Sequence, residues 1–256
     1  MTSMKGQHAL ITGANRGIGA AIARHLARAG ADLSLVVRTP ANAASFADEL
    51  RALGVRVHVA AADVTDEVAL VSAIAGCEQA IGPVDVLVNN AGTAETVPFL
   101  KADDALFHRM LAVHLFAPMH AAKAVLPGMV ARAGGRIVNV ASIAGLVGGA
   151  YITAYTSAKH AEMGFTRALA TEFAAKGIKV NAVCPGYVDT DMVRGAVAKI
   201  VQKAGISAEQ AVATIIKDSG QKRLATVDEV AAAVLAYARP DCAVTGQHTV
   251  VLGETA

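Results

Sequence analysis

Three side chains in the middle of the chain are of types that move protons: Ser142, Tyr155 and Lys159, the last two within Tyr155-Thr156-Ser157-Ala158-Lys159. On a helix, residues four apart share a face, so the Lys159 ammonium can lie beneath the Tyr155 phenol and favour its phenolate. A free tyrosine titrates near ~10. A neighbouring cation moves that value toward working pH, where general acid–base catalysis is most effective. Ser142 can then hold the reacting oxygen. Taken singly, Tyr-x-x-x-Lys is equally the mark of a half-buried tyrosine beside a solvated lysine, so its meaning depends on what accompanies it.

Near the N-terminus, Ala9-Leu10-Ile11 runs into Thr12-Gly13-Ala14-Asn15-Arg16-Gly17-Ile18-Gly19 and then an alanine-rich amphipathic stretch. The pattern reads as strand, glycine turn, helix. Free N–H groups and the dipole at such a helix start attract a phosphate that glycines allow to come close, which makes this a candidate dinucleotide seat. A second strand, Asp32 to Val37, ends at Arg38. An acid there would bond the 2′-hydroxyl of NAD, whereas Arg suits a 2′-phosphate. Arg38 therefore points to NADP(H), with NAD(H) still possible, and Arg16 can add a second positive charge. The alternative is that both arginines are solvated surface residues.

Five further apolar runs alternate with helical stretches: Val55–Ala60, Val84–Asn89, Arg136–Ala141, Ile178–Val183 and Gln247–Val251. Continuous apolar strands separated by helices mean a parallel sheet covered on both faces. The fold class expected is α/β, a Rossmann-type doubly wound sheet, as a single domain over residues 1–256. One long helix is expected from Asp103 to Ala131 and another from Tyr155 to Lys176. Residues 188–223 read as an insert over the site, a lid, carrying a helix Ala208–Lys217 that opens on a capping box at Ser207. Thr226-Val227-Asp228-Glu229 repeats that signal and starts the last long helix.

With Asp63-Val64 after the third strand, Asn89-Asn90-Ala91-Gly92 after the fourth and Pro185-Gly186 after the sixth, the chain resembles the short-chain dehydrogenase/reductase family over nearly its whole length. The resemblance implies a ketone/secondary-alcohol oxidoreductase with Ser142, Tyr155 and Lys159 as catalytic residues. It implies cofactor contacts at Gly13, Asn15, Arg16, Gly17, Ile18, Gly19 and Arg38, and at Asp63 and Val64 for the adenine. Asn90, Ala91, Gly92, Lys159, Pro185, Gly186 and Thr190 would line the rest of the dinucleotide, with Tyr155 beside the nicotinamide. Asp63 has a second reading, as a local cap before Thr65-Asp66-Glu67. The family usually places Asn where this chain has His114, in support of a water-linked proton relay. His114 either holds that water and adds a near-neutral titration, or is a helix histidine satisfied by a neighbouring carbonyl. The family also implies a homotetramer built on the two long helices, where Ala121, Ala122, Ala124, Ala161 and Ala168 permit close approach.

Composition bounds the rest. Of 256 residues, 54% are hydrophobic, broken by charges, and the reading is packing surface with no membrane role. Net charge is +2 without a basic cluster, so nucleic acid is not expected. Three scattered cysteines suit a reducing compartment and a cytoplasmic protein. No histidine shows metal-ligand spacing, so no metal role is assigned. The substrate pocket is expected at Ser142, Leu146, Val147, Tyr155, Tyr187 and Met192. Hydroxybutyrate dehydrogenases of the family grip a free carboxylate with polar residues, where this chain has Ala144 and Ile152. A bare carboxylate against apolar walls is costly. The leading substrate is therefore a 3-oxoacyl/3-hydroxyacyl thioester, the runner-up a neutral hydrophobic ketone or alcohol. Arg194 or Lys222 of the insert could still supply a charge. A non-catalytic dinucleotide sensor is the reading from another class.

Overall fold

The computed structural model describes residues 3–217 and 219–254. The outermost residues of the predicted 1–256 domain, and residue 218 of the predicted insert, lie outside that set. Seven parallel strands form one sheet in the order β3-β2-β1-β4-β5-β6-β7. They are β1 His8–Thr12, β2 Asp32–Val37, β3 Val57–Ala61, β4 Val86–Asn89, β5 Gly135–Val140, β6 Ile178–Pro185 and β7 His248–Val251. Every pairing is parallel, with Ile11 level with Leu35 on one side and with Val88 on the other. The chain reverses its direction of winding between β1 and β4, the crevice where such sheets bind ligands at the strands' carboxyl ends.

Alternation within the central strands explains the two covered faces. Ala9 and Ile11 of β1 and Val86 and Val88 of β4 feed one core, while Leu10 and Leu87 between them feed the other. On the first face lie α1 Gly17–Arg28, α2 Ala44–Arg51 and α9 Val227–Ala238. On the second lie α3 Glu67–Ile81, α5 Ala117–Ala131 and the C-terminal half of α6 Thr153–Phe173.

The predicted helix Asp103–Ala131 is present but not uniform. α4 Asp104–Leu111 passes into α5 through a wider π turn at Ala112–Phe116, which contains His114. By length and composition Asp104–Ala131 could cross a membrane. Its Leu106, Met110, Ala121, Val125 and Met129 are buried in the domain's own core, however. Ala121 and Ala122, predicted at a subunit interface, are likewise taken up inside the chain. The insert holds two helices where one was predicted: α7 Asp191–Ala204 precedes α8 Ala208–Lys217. The Ser207 box forms, its Oγ accepting from the Gln210 N–H and the Gln210 amide oxygen accepting from the Ser207 N–H.

Candidate active site

The predicted site residues gather at one edge of the sheet because each follows the carboxyl end of a strand: Gly13 after β1, Arg38 after β2, Asp63 after β3, Asn90 after β4, Ser142 after β5, Gly186 after β6. Parallel strands put all of these ends on the same side, so one topological fact assembles residues far apart in the chain.

The glycine turn fits a phosphate. Gly17 has φ +52° at the start of α1, a left-handed conformation that a side chain resists. Gly19 is packed so closely under Gly13 and Asn90 that a Cβ would collide with both. Asn15, Ile18 and Gly19 follow the turn into α1, and Arg16 precedes the helix in extended conformation with its side chain exposed. A cleft of about 620 Å³ opens between this turn and the start of α7, lined in part by Asn15, Arg16, Thr190 and Arg194. Neither Ser142 nor Tyr155 lines it. Arg38 is exposed and makes no hydrogen bond or ion pair with the described residues. Its charge is felt by Asp63, whose carboxyl is held below the usual range, chiefly by the Thr65 N–H and hydroxyl and in part by Arg38. The Asp63 oxygen that accepts from Thr65 at 2.9 and 2.7 Å is thus locally engaged, and the cap of α3 is Asp66 instead. Val64 packs against the second core.

Asn90 is hydrogen-bonded to the glycine turn through its side chain. Its side-chain amide donates to the Thr12 and Gly13 carbonyl oxygens at 2.9 and 3.1 Å, and the Asn90 and Ala91 N–H groups both donate to Thr12 Oγ1. It therefore ties β4 to the glycine turn and shapes the seat rather than reaching out from it. Gly92 presses on His114, with 3.0 Å between its would-be Cβ and Cε1. Pro185 closes β6 and Gly186 abuts Gln221. Thr190 stands at the start of α7 with its hydroxyl on the Val188 carbonyl at 3.2 Å.

Ser142 caps a short turn after β5, its Oγ accepting from the Ala144 N–H at 3.1 Å. That turn rests on α6: a Cβ on Gly145 would come within 2.8 Å of the Lys159 carbonyl and 2.9 Å of Met163. Tyr155 lies in the first turns of α6, half-buried, and the Lys159 Nζ is 5.9 Å from its ring centroid. Beneath them a buried polar line crosses the sheet. The Asn89 amide donates to Asn139, Asn139 to the Thr166 hydroxyl, and Thr166 to the Glu162 carbonyl oxygen, each at 2.8 Å. The Lys159 ammonium donates to Glu162 Oε2 at 2.7 Å and to the Val140 carbonyl oxygen at 3.0 Å. Glu162 went unnoticed in the sequence, where a Lys and a Glu three apart on a helix look like a solvated surface pair.

His114 is 2% exposed, with Nε2 2.7 Å from the Thr93 carbonyl oxygen. Burial first, then the nearby Lys159 charge, push its pKa down to about 3. The near-neutral titration expected of it is corrected by this, and the carbonyl-satisfied reading describes Nε2. Its Nδ1 is buried and has no hydrogen-bond partner among the described residues. Tyr151 was not foreseen at all: it has φ +64°, rare for a residue with a side chain, four residues before Tyr155. Val147, Tyr151, Tyr187 and Met192 are all exposed apolar or aromatic groups, and Leu146 packs against Ala141, Met163, Ala182 and Cys184. Ala144 is buried. Arg194 is engaged by Asp189 at 2.9 Å and Asp191 at 3.5 Å.

Residues 7–201 match the family described as short chain dehydrogenase. The chain is 38% identical to an uncharacterized oxidoreductase, YxjF, of Bacillus subtilis, over 98% of both chains. It is 36% identical to a D-beta-hydroxybutyrate dehydrogenase of Rhizobium meliloti, over 94% of this chain and 95% of that one. Among solved structures, L-sorbose reductase from Gluconobacter frateurii, complexed with NADPH and L-sorbose, superposes with a TM-score of 0.91 at 30% identity, covering 98% of this chain and 97% of the other.

Proposed function

Because this chain belongs to the short-chain dehydrogenase family, oxidoreductases that act on CH–OH groups with NAD(P), we propose that it interconverts a 3-oxoacyl and a 3-hydroxyacyl thioester with NADP(H). The dinucleotide, when bound, supplies or accepts the hydride. Every other part of the work falls to side chains. Ser142 holds the carbonyl oxygen, Tyr155 gives it a proton, and Lys159 supports the phenol electrostatically. The residues fit a dinucleotide: Asn15, Arg16 and Gly17 of the glycine turn line a cleft able to take a pyrophosphate, and Arg38, exposed and unpaired among the described residues, suits a 2′-phosphate. The NADPH complex of L-sorbose reductase supports that choice of cofactor by likeness. His114 Nδ1, an unpartnered buried acceptor, is suited to hold a water that passes protons toward Lys159.

The observation that carries the substrate class is the chemistry of the exposed side chains that flank Ser142 and Tyr155 in the chain or follow β6. Val147, Tyr151, Tyr187 and Met192 present apolar surface, while Arg194 is already neutralised by two carboxylates. A free carboxylate substrate would find Arg194 already taken and only the exposed Lys222 of the insert to pair with, whereas the acyl end of a thioester carries no charge to satisfy. The helices α7 and α8 of residues 188–223 form the lid in this reading. Two copies meeting on α5 and α6, and two such pairs, would make the homotetramer, in the cytoplasm.

The test is oxidation of NADPH by the purified protein with acetoacetyl-coenzyme A, beside NADH and a Tyr155→Phe variant. Turnover with NADPH that the variant abolishes, with cofactor binding intact, supports the reading. No turnover despite NADPH binding overturns the thioester and leaves neutral hydrophobic ketones. An intact activity in the variant overturns Tyr155 as the acid.

A further inference from the structure

Lys159 and Glu162 form an ion pair sealed inside the protein, their side chains 5% and 2% exposed. Isolating a carboxylate from water is costly and the attraction of one partner seldom repays it; a pair of apolar residues in the same space serves stability as well or better. Stability therefore gives no reason for this acid. Its geometry does. A lysine ammonium carries three N–H donors, and here Glu162 Oε2 and the Val140 carbonyl take two of them. One is left, with the Tyr155 ring centroid 5.9 Å from the nitrogen. The turn that bears Glu162 is itself fixed by Thr166 and, through it, by Asn139.

We propose that Glu162 is a positioning residue for the proton-transfer step: it aims Lys159 and offsets part of its charge, so that Tyr155 keeps its proton to higher pH than a lone lysine would allow. This rests on the reading of Tyr155 as the proton donor. A bare ammonium acts on the phenol as a full charge, but paired with a carboxylate at 2.7 Å it acts as a dipole. The ammonium is 5.9 Å from the ring centroid and 2.7 Å from the carboxylate oxygen. At an effective dielectric of about 20, a unit charge at about 6–8 Å moves a neighbour's titration by roughly 1.5–2 pH units.

The other groups near the pair leave this account intact. Beyond Lys159 and Tyr155, α6 brings the exposed Arg167; β6 brings the Cys184 thiol, pushed by burial to about 11; the π turn brings His114, neutral above about 3; α4 brings apolar Leu106 and Met110. The loop after β5 brings Ser142, which does not titrate in this range. Burial works against the Lys159 ammonium, yet Glu162 and Tyr155 together raise its pKa, so the charge persists. Burial raises the Glu162 carboxyl, and Lys159 opposes that rise.

The chain has four tyrosines and no tryptophan, so phenolate absorbance is readable directly, and subtracting the Tyr155→Phe counterpart in each background isolates Tyr155. In Glu162→Gln, the phenolate signal of Tyr155 should rise at a pH roughly 1.5 units below wild type, and Glu162→Asp, which keeps the charge, should stay near wild type. A Glu162→Gln midpoint equal to wild type in folded protein overturns the proposal. Should Glu162→Gln not fold, the double variant Lys159→Met/Glu162→Leu replaces the whole pair by apolar groups. The partial offset predicts a rise well under two units, and a larger rise, the mark of an unscreened lysine, overturns it. The titration requires no substrate, so failure with acetoacetyl-coenzyme A and failure here are read separately.

Discussion

The imidazole of His114 stands edge-on to the phenol ring of Tyr155, centroids 5.2 Å apart and planes at 87°. With Nε2 donating to the Thr93 carbonyl oxygen, the ring is fixed in one tautomer, and the Nδ1 lone pair is the free acceptor. The edge of a neutral ring, rather than a cation, thus borders the tyrosine.

It follows that acidification strains the fold at this position. The folded His114 titrates near about 3 against an ordinary 6.5, so between those values the unfolded chain binds the extra proton. The stability that a neutral His114 contributes is fully present above about 6.5 and is lost as pH falls toward 3. The buried His8, whose pKa burial also lowers, acts in the same direction. His114→Asn removes one of these contributions. Its thermal midpoint should fall less between pH 7 and pH 5 than that of wild type; parallel curves would mean that His114 binds its proton equally in the folded and unfolded chain.

The cofactor preference gives a second prediction. Arg38 is exposed at the end of β2 with no ion pair to lose among the described residues, so Arg38→Asp should fold normally. A charge-assisted hydrogen bond contributes about 1.5–3 kcal/mol, and the KM for NADPH should rise by at least about tenfold while that for NADH changes little. Steady-state kinetics with both cofactors decides it, and an unchanged ratio would remove Arg38 from the phosphate site.

The strand ends were legible because each apolar run stops at a residue of turn or site type: Gly13, Arg38, Asp63, Asn90, Ser142 and Gly186. Their convergence follows from parallel pairing, which apolar runs separated by helices already imply. What stayed hidden depends on burial. Glu162 lies three residues beyond Lys159, a spacing that on most helices means solvent. It is enclosed by tertiary packing, with β6 and the Ser142 turn against α6. The π turn at His114 leaves no composition signal, and α7 starts at Thr190 without a side-chain cap. Asn90 was found as a residue of the site but not as its fastener, since an amide's partners are unreadable without a fold.

Asn90 as fastener is testable. Asn90→Ala deletes the two side-chain bonds to Thr12 and Gly13 and leaves their carbonyls without that donor, at a cost of about 1–3 kcal/mol. The thermal midpoint should drop by about 2–4 °C per kcal/mol, and the dinucleotide Kd, measured by titration calorimetry, should weaken by about tenfold as the turn loosens. A weakened Kd at an unchanged midpoint would instead make Asn90 a direct cofactor contact.

The last prediction concerns how the insert is fastened to the domain. At its end, Arg223 pairs with Glu229 of α9 through two contacts at 2.8 and 3.0 Å. Glu229 also accepts from the Thr226 N–H while the Thr226 hydroxyl accepts from the Glu229 N–H, a complete capping box. Arg223 first, and then the Thr226 N–H, hold the Glu229 carboxyl down at about 2, against an ordinary 4.5. Both side chains are partly solvated, 42% and 35% exposed, and water screens the pair, so the contribution is about 1 kcal/mol rather than the full value of the shift. Because the folded pKa is the lower one, that stability is present above about 4.5 and disappears as pH falls through about 2. Glu229→Gln should therefore be less stable than wild type at pH 7 by about 1 kcal/mol, and the gap should narrow as the pH is lowered from 5 toward 2. Denaturant melts across that range measure it, and a gap that stays constant would place the contribution in the cap's neutral hydrogen bonds rather than in the charge.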